Sequence, residues 1–149
     1  MRFRDFYLEY TVLAKHFQSL ALLLARLVVA YGFYNPALLK WSNFDTTVAW
    51  FIELGIPFAS LATFLTASIE ISAVVLLILG LFTRFITIPL MVIMVVAIVT
   101  VHYVNGFSAG NDGFEIPLYY FLFLSLFATH GAGKFSLDYI LFKRGKQDA

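Results

Sequence analysis

Arg26 and Glu70 each sit in the middle of a long apolar segment. An ionised group at bilayer depth costs roughly 3 kcal/mol on insertion scales, so each needs a partner, a watery cavity or a chemical task. Arg26 follows the start of a segment at 17–34 by nine residues, and Glu70 precedes the end of one at 57–79 by nine. Two antiparallel helices rising equally per residue would set them at one depth, which predicts an Arg26–Glu70 ion pair. Such a pair can be a structural clamp that fixes helix register, or a proton-handling contact beside a bound molecule. Ser60, Thr63, Ala67, Glu70 and Val74 form one stripe of mostly small or polar groups, suited to close helix packing.

A second set gathers where the apolar segments end. His102 and Tyr103 close a third segment, Glu115 and Tyr119 open a fourth, and Lys40 and Trp41 follow the first. An imidazole, a carboxylate, an ammonium and phenols at one end of a bundle can hold a polar headgroup, with His102 or Glu115 moving a proton. Taken singly, each also fits plain anchoring, with aromatics in the interfacial belt and charges in water. A third set is Arg84, Lys134 and Asp138, of which Arg84 and Asp138 are expected to pair and tie the tail to the bundle.

The elements that must position these groups are membrane helices. Hydrophobic residues make up 61% of the 149, charged residues 13%, and mean hydropathy is +0.86, against about 25% charged in a soluble domain. The segments 17–34, 57–79, 85–103 and 116–132 are near the ~17–25 residues that cross a bilayer. Pro57, Pro89 and Pro117 fall early in their helices, where a missing N–H costs little. Asn111-Asp112-Gly113 reads as a turn, and Gly131-Ala132-Gly133 as the stop of the last helix. The expected fold is all-α: one domain over 1–149, a polytopic four-helix membrane bundle. The connection from Asn35 to Ile56 holds Trp41, Phe44, Trp50, Phe51 and Ile56, and predicts an interfacial helix or re-entrant lid. The first sixteen residues predict a short interfacial helix with Phe3, Phe6, Tyr7 and Tyr10 on its apolar side, or else a polar tail. Leu137, Ile140 and Leu141 predict another, with Lys143, Arg144 and Lys146 drawn to anionic lipid. Arg2, Arg4, Lys15, Arg84, Lys134 and the tail cations fall on one side and Lys40 on the other, which predicts both termini in the cytoplasm.

Several chemistries are excluded or disfavoured. With no cysteine, this chain has no disulfide, thiolate nucleophile or Cys-ligated metal. A net charge of +1 without a basic stripe argues against nucleic acid. No Glu-x-x-His pair, phosphate loop or nucleophile elbow is present, so no metal site is expected. His16 and His130 fall near the same surface, but interfacial histidines of this kind are seldom haem ligands.

Ordered along the chain, several short motifs resemble those of the DoxX and DoxD family of small four-helix membrane proteins. They are Arg26-Leu27, Lys40, Leu54-Gly55-Ile56-Pro57, Glu70, Gly80-Leu81-Phe82-Thr83-Arg84, Glu115, Gly131-Ala132-Gly133 and Ser136-Leu137-Asp138. Asn35-Pro36-Ala37 departs from the pattern, since the family often has a glycine shortly before the lysine. The resemblance implies a link to membrane oxidoreductase complexes, including a subunit type that contacts quinone. It predicts a membrane subunit of a quinone-linked oxidoreductase that need not be catalytic alone. Its expected partners are the bilayer, a quinone, an oxidoreductase subunit and a second copy of the chain; no covalently held cofactor is implied. In that reading Glu70, His102 and Glu115 handle protons, while Arg26, Lys40, Trp41, Tyr103 and Tyr119 contact the substrate. The expected location is the plasma (inner) membrane. The other reading is a non-catalytic scaffold or small-molecule carrier that recruits a partner.

Overall fold

In the computed structural model, which describes residues 3–143, every regular element is a helix. The first, α1, runs Phe3–Ser42 without a break, and α2 spans Phe44–Glu53. Next come α3 over Ala59–Leu79, α4 over Thr83–Ala97 and α5 over Glu115–His130. A π-helical turn at Ile98–His102 and a short 3-10 turn at Tyr103–Asn105 extend α4. Helices α1, α3 and extended α4 are each long and apolar enough to cross a membrane. At 16 residues α5 is shorter, about 24 Å.

Sequence periodicity explains the packing. Along α3, Ala59, Thr63, Ala67, Glu70, Ala73, Val74 and Leu77 are buried, a three-and-four spacing that makes one face. Arg26, Val29, Ala30, Phe33 and Ala37 make the matching face of α1. Lipid is as apolar as leucine, so membrane helices associate through close fit, and alanine-rich faces allow it. Helix α1 packs mainly on α3, α4 mainly on α5, and α3 against α4 joins the pairs. Val29, Phe33, Leu77, Leu90, Leu124 and Phe127 meet in the shared core. Outward faces remain apolar, with Val28, Tyr31, Phe85, Val92 and Val99 exposed. In water such a surface would aggregate, whereas acyl chains solvate it.

The boundaries differ most at the first helix. Pro36 lies inside α1 and does not end it, so Lys40 and Trp41 are helical. Residues 3–16 continue the same helix, with Phe6, Tyr7 and Tyr10 exposed, and form no separate element; the Phe3 side chain lies outside the described residues. The expected lid is α2, which follows a one-residue break at Asn43 and packs on α3. Ser60 is exposed, and Ala59 takes the place expected for it on the buried stripe. Tyr139–Lys143 forms only a short π-helical turn, and the side chain of Lys143 lies outside the described residues, as do Arg144 and Lys146 altogether.

Candidate functional site

Lys40 and Glu70 form an ion pair. Lys40 Nζ donates to Glu70 Oε2 at 2.8 Å and to Oε1 at 3.1 Å. The Glu70 side chain is 3% exposed and that of Lys40 17%. This corrects the expected Arg26–Glu70 pair. Fourteen residues separate Arg26 from Lys40 on α1, about 21 Å of helix. Because α1 continues past Pro36, it carries Lys40, not Arg26, to the level of Glu70.

Arg26 serves the opposite end of the bundle. Its guanidinium is fully buried and donates from Nη1 to the Ala132 carbonyl and from Nη2 to that of Phe135, both at 2.8 Å. Gly80 (φ +66°) closes α3 against this guanidinium, where a Cβ would collide with it. Arg84 and Asp138 do not pair as expected. Arg84 Nη2 donates to the Thr129 carbonyl at 3.1 Å. Asp138 accepts the Phe82 and Thr83 N–H groups at 2.7 and 3.0 Å, capping the start of α4, and its own N–H bonds the Gly80 carbonyl. Asp138 still ties the segment after α5 to the α3–α4 turn, and Arg84 ties the start of α4 to the last turn of α5, each through backbone rather than through each other.

The Lys40–Glu70 pair lies on the wall of an apolar cavity of about 620 Å³. The lid closes one side with Trp50, Phe51 and Leu54, and the polar lining includes Thr66, Thr100, His102 and Tyr120. Gly32 and Pro36 complete the α1 wall. Pro36 supplies no N–H to the Gly32 carbonyl one turn earlier. The Tyr120 ring occupies the space that a Cβ on residue 32 would need, and it packs on Phe33 with centroids 5.3 Å apart.

His102 reaches the cavity rim, and its Nδ1 donates to the Asp112 carbonyl at 2.6 Å, while Nε2 has no partner among the described residues. Glu115 is directed into the loop. It accepts from the Ala109 N–H at 2.9 Å and from the Tyr119 hydroxyl at 2.8 Å. At the loop margin, the Ala109 N–H first and the Tyr119 hydroxyl second hold its carboxyl below the usual range. Trp41 is exposed and meets Phe64 edge-on at 5.7 Å. Tyr103 is exposed and stacks on Phe114 at 6.3 Å. Of the expected site residues, the structure therefore gathers Lys40, Glu70 and His102 around the cavity. Glu115, Trp41, Tyr103 and Tyr119 lie outside its lining, and Arg26 is at the other end. Sequence reasoning missed Tyr120, whose only signal is its helical phase with buried Leu124 and Phe127.

Comparison with known proteins gives the same outline. The family model described as DoxX matches residues 21–103. An uncharacterized protein of Haemophilus influenzae is 31% identical over 133 residues, covering 84% of this chain and 85% of that protein. The inner membrane protein YphA of Escherichia coli is 38% identical over 63 residues, 42% of this chain and 45% of that protein. No solved structure matches.

Proposed function

This chain belongs to the DoxX family of integral membrane proteins, and from that premise we propose that its cavity binds a quinone or a similar small redox molecule, as the membrane subunit of a quinone-linked oxidoreductase. The observation that carries this reading is an ion pair set on the wall of an apolar cavity between the helices. Its volume falls within the roughly 300–1,000 Å³ of small-molecule sites. Apolar walls suit a ring and prenyl tail, while the Lys40 ammonium and Tyr120 hydroxyl can donate to a carbonyl oxygen. Reduction of a quinone takes up two electrons and two protons. The electrons come from a partner oxidoreductase subunit. Glu70, freed from Lys40 as the ammonium turns to the ligand, can relay a proton, and His102 Nε2 can do so at the rim.

A scaffold or carrier is the second reading. It is favoured by one observation: Glu70 has both oxygens on Lys40, so the pair is complete without a ligand. Mild extraction from quinone-rich membranes separates the two. The redox reading expects near-stoichiometric quinone in the purified protein, lost in a folded Lys40→Met/Glu70→Leu variant. Quinone-free wild-type protein favours the scaffold. We also propose an inner-membrane location with both termini cytoplasmic, from the distribution of Lys and Arg. A C-terminal reporter active only outside the cytoplasm, if it gave signal, would reverse that orientation.

A further inference from the structure

A second cleft, of about 540 Å³, opens at the Arg26 end of the bundle, remote from the Lys40–Glu70 pair. It lies between Gln18–Leu22 of α1, the α3–α4 turn and the chain that follows α5. We propose that this cleft binds one anionic membrane phospholipid, with the phosphate at Arg84 and Lys134 and an acyl chain along Phe82, Phe85 and Phe142.

Charge points to the headgroup. Lys134 is exposed, and its ammonium has no partner among the described residues. Arg84 spends one Nη2 bond on the Thr129 carbonyl, and the rest of its guanidinium fork has no hydrogen-bond partner among the described residues. The His130 ring also lines the cleft; its Nδ1 is engaged by Thr129 Oγ1 at 2.9 Å, and its Nε2 has no partner among the described residues. The acid on the wall, Asp138, has one oxygen on the Phe82 N–H and the other on that of Thr83, so its charge is directed into the fold. Beyond Phe142 the sequence continues with Lys143, Arg144 and Lys146 against one acid, Asp148.

The aromatic side of the cleft favours a lipid over free phosphate. Phe82 meets Phe85 at 6.5 Å and Phe142 at 6.0 Å, and all three rings are about half exposed or more. Free phosphate would leave that cluster in water, whereas an acyl chain covers it. The cleft also lies where the spans of α3 and α4 meet, at Leu79 and Thr83, so its cations sit at the level of bilayer headgroups.

The test uses the full chain, delipidated in a neutral detergent, with thermal unfolding and native mass spectrometry as readouts. Phosphatidylglycerol should raise Tm by several degrees and remain bound at one per chain. Phosphatidylcholine and inorganic phosphate should each give less than half that shift. Lys134→Gln, at an exposed and unpartnered site, should fold normally and lose at least half of the phosphatidylglycerol shift; adding Arg84→Gln should remove the rest. Equal shifts from phosphatidylglycerol and phosphatidylcholine would overturn the proposal. So would a phosphate shift as large as the lipid's, or an undiminished lipid shift in Lys134→Gln.

Discussion

The two ends of the bundle both bury charge, and they treat it differently. At one end Arg26 is fully enclosed and gives one bond from each Nη to a backbone carbonyl, with Gly80 pressed against it. No ligand can reach that guanidinium without the segment after α5 moving away. At the other end Lys40 and Glu70 neutralise each other on the wall of a cavity. Side chain to side chain, that contact can open and reform around a guest. A buried charge bonded to backbone holds the fold, and one bonded to another charge beside a cavity stands where a guest can reach it. DoxX motifs occur at both ends, so a motif residue here does not by itself mark the site.

The largest expected effect tests whether the two ends are independent. Arg26→Met leaves the Ala132 and Phe135 carbonyls without their donors, a loss of about 3 kcal/mol. Glu70→Leu leaves the half-buried Lys40 ammonium unpaired, about 3 kcal/mol. Because the sites share no partner, the double variant should lose roughly the sum, about 6 kcal/mol or more. Rescue of one change by the other in detergent unfolding would mean that Arg26 and Glu70 are coupled after all. Next in size, Lys40→Met alone should cost about 3–5 kcal/mol, because it strands the Glu70 carboxylate. Here the combination with Glu70→Leu should recover most of the loss, since an apolar pair replaces an ionic one. A Lys40→Met/Glu70→Leu protein no more stable than Lys40→Met would break the comparison at this end.

These two pairs also show what the sequence made legible. An all-helical membrane bundle with a short lid helix is readable from composition, segment length and the tryptophan-rich connection. Glu70 is readable as a chemistry-bearing group because an ionisable residue is costly at bilayer depth, and Lys40 and His102 because they gather with other polar groups where the apolar segments end. Pairing is not, because it depends on helix register. The apolar segment at 17–34 marks only the hydrocarbon-like part of α1, and nothing in the polar stretch before it or at Pro36 signals that the helix continues at both ends. Helix α1 starts 14 residues before that segment and ends eight after it, and those differences moved Arg26 to the wrong level. Arg84 and Asp138 failed for another reason. Opposite charges near one turn suggest each other, but unpaired N–H groups at the start of α4 and a carbonyl at the end of α5 take them first.

Gly80→Ala probes the closed end more gently. Residue 80 has φ +66°, a left-handed backbone that costs an L residue about 1 kcal/mol, and the added Cβ would meet the Arg26 guanidinium and Ser136. Destabilisation of about 2–3 kcal/mol is expected from strain and crowding together, with quinone content per folded protein unchanged. A selective loss of quinone at full stability would show that the closed end contributes to the cavity.

The smallest expected change in stability belongs to Tyr120→Phe, and it is the most informative about the cavity. The Tyr120 hydroxyl has no hydrogen-bond partner among the described residues, and the ring is held by Phe33 and the room left by Gly32. Removing one oxygen keeps those ring contacts, so unfolding should shift by no more than about 0.5 kcal/mol. If the hydroxyl donates to a bound carbonyl, its loss should weaken quinone binding by about 1 kcal/mol, roughly fivefold. Titrating quinone into purified Tyr120→Phe and wild-type protein reads the two effects separately. Unchanged affinity would put the headgroup elsewhere in the cavity, toward Thr100 and His102, and would leave Tyr120 as wall. Lowered affinity at unchanged stability would place the headgroup between α1 and α5. There the missing N–H of Pro36 leaves the Gly32 carbonyl free to accept from a reduced ring.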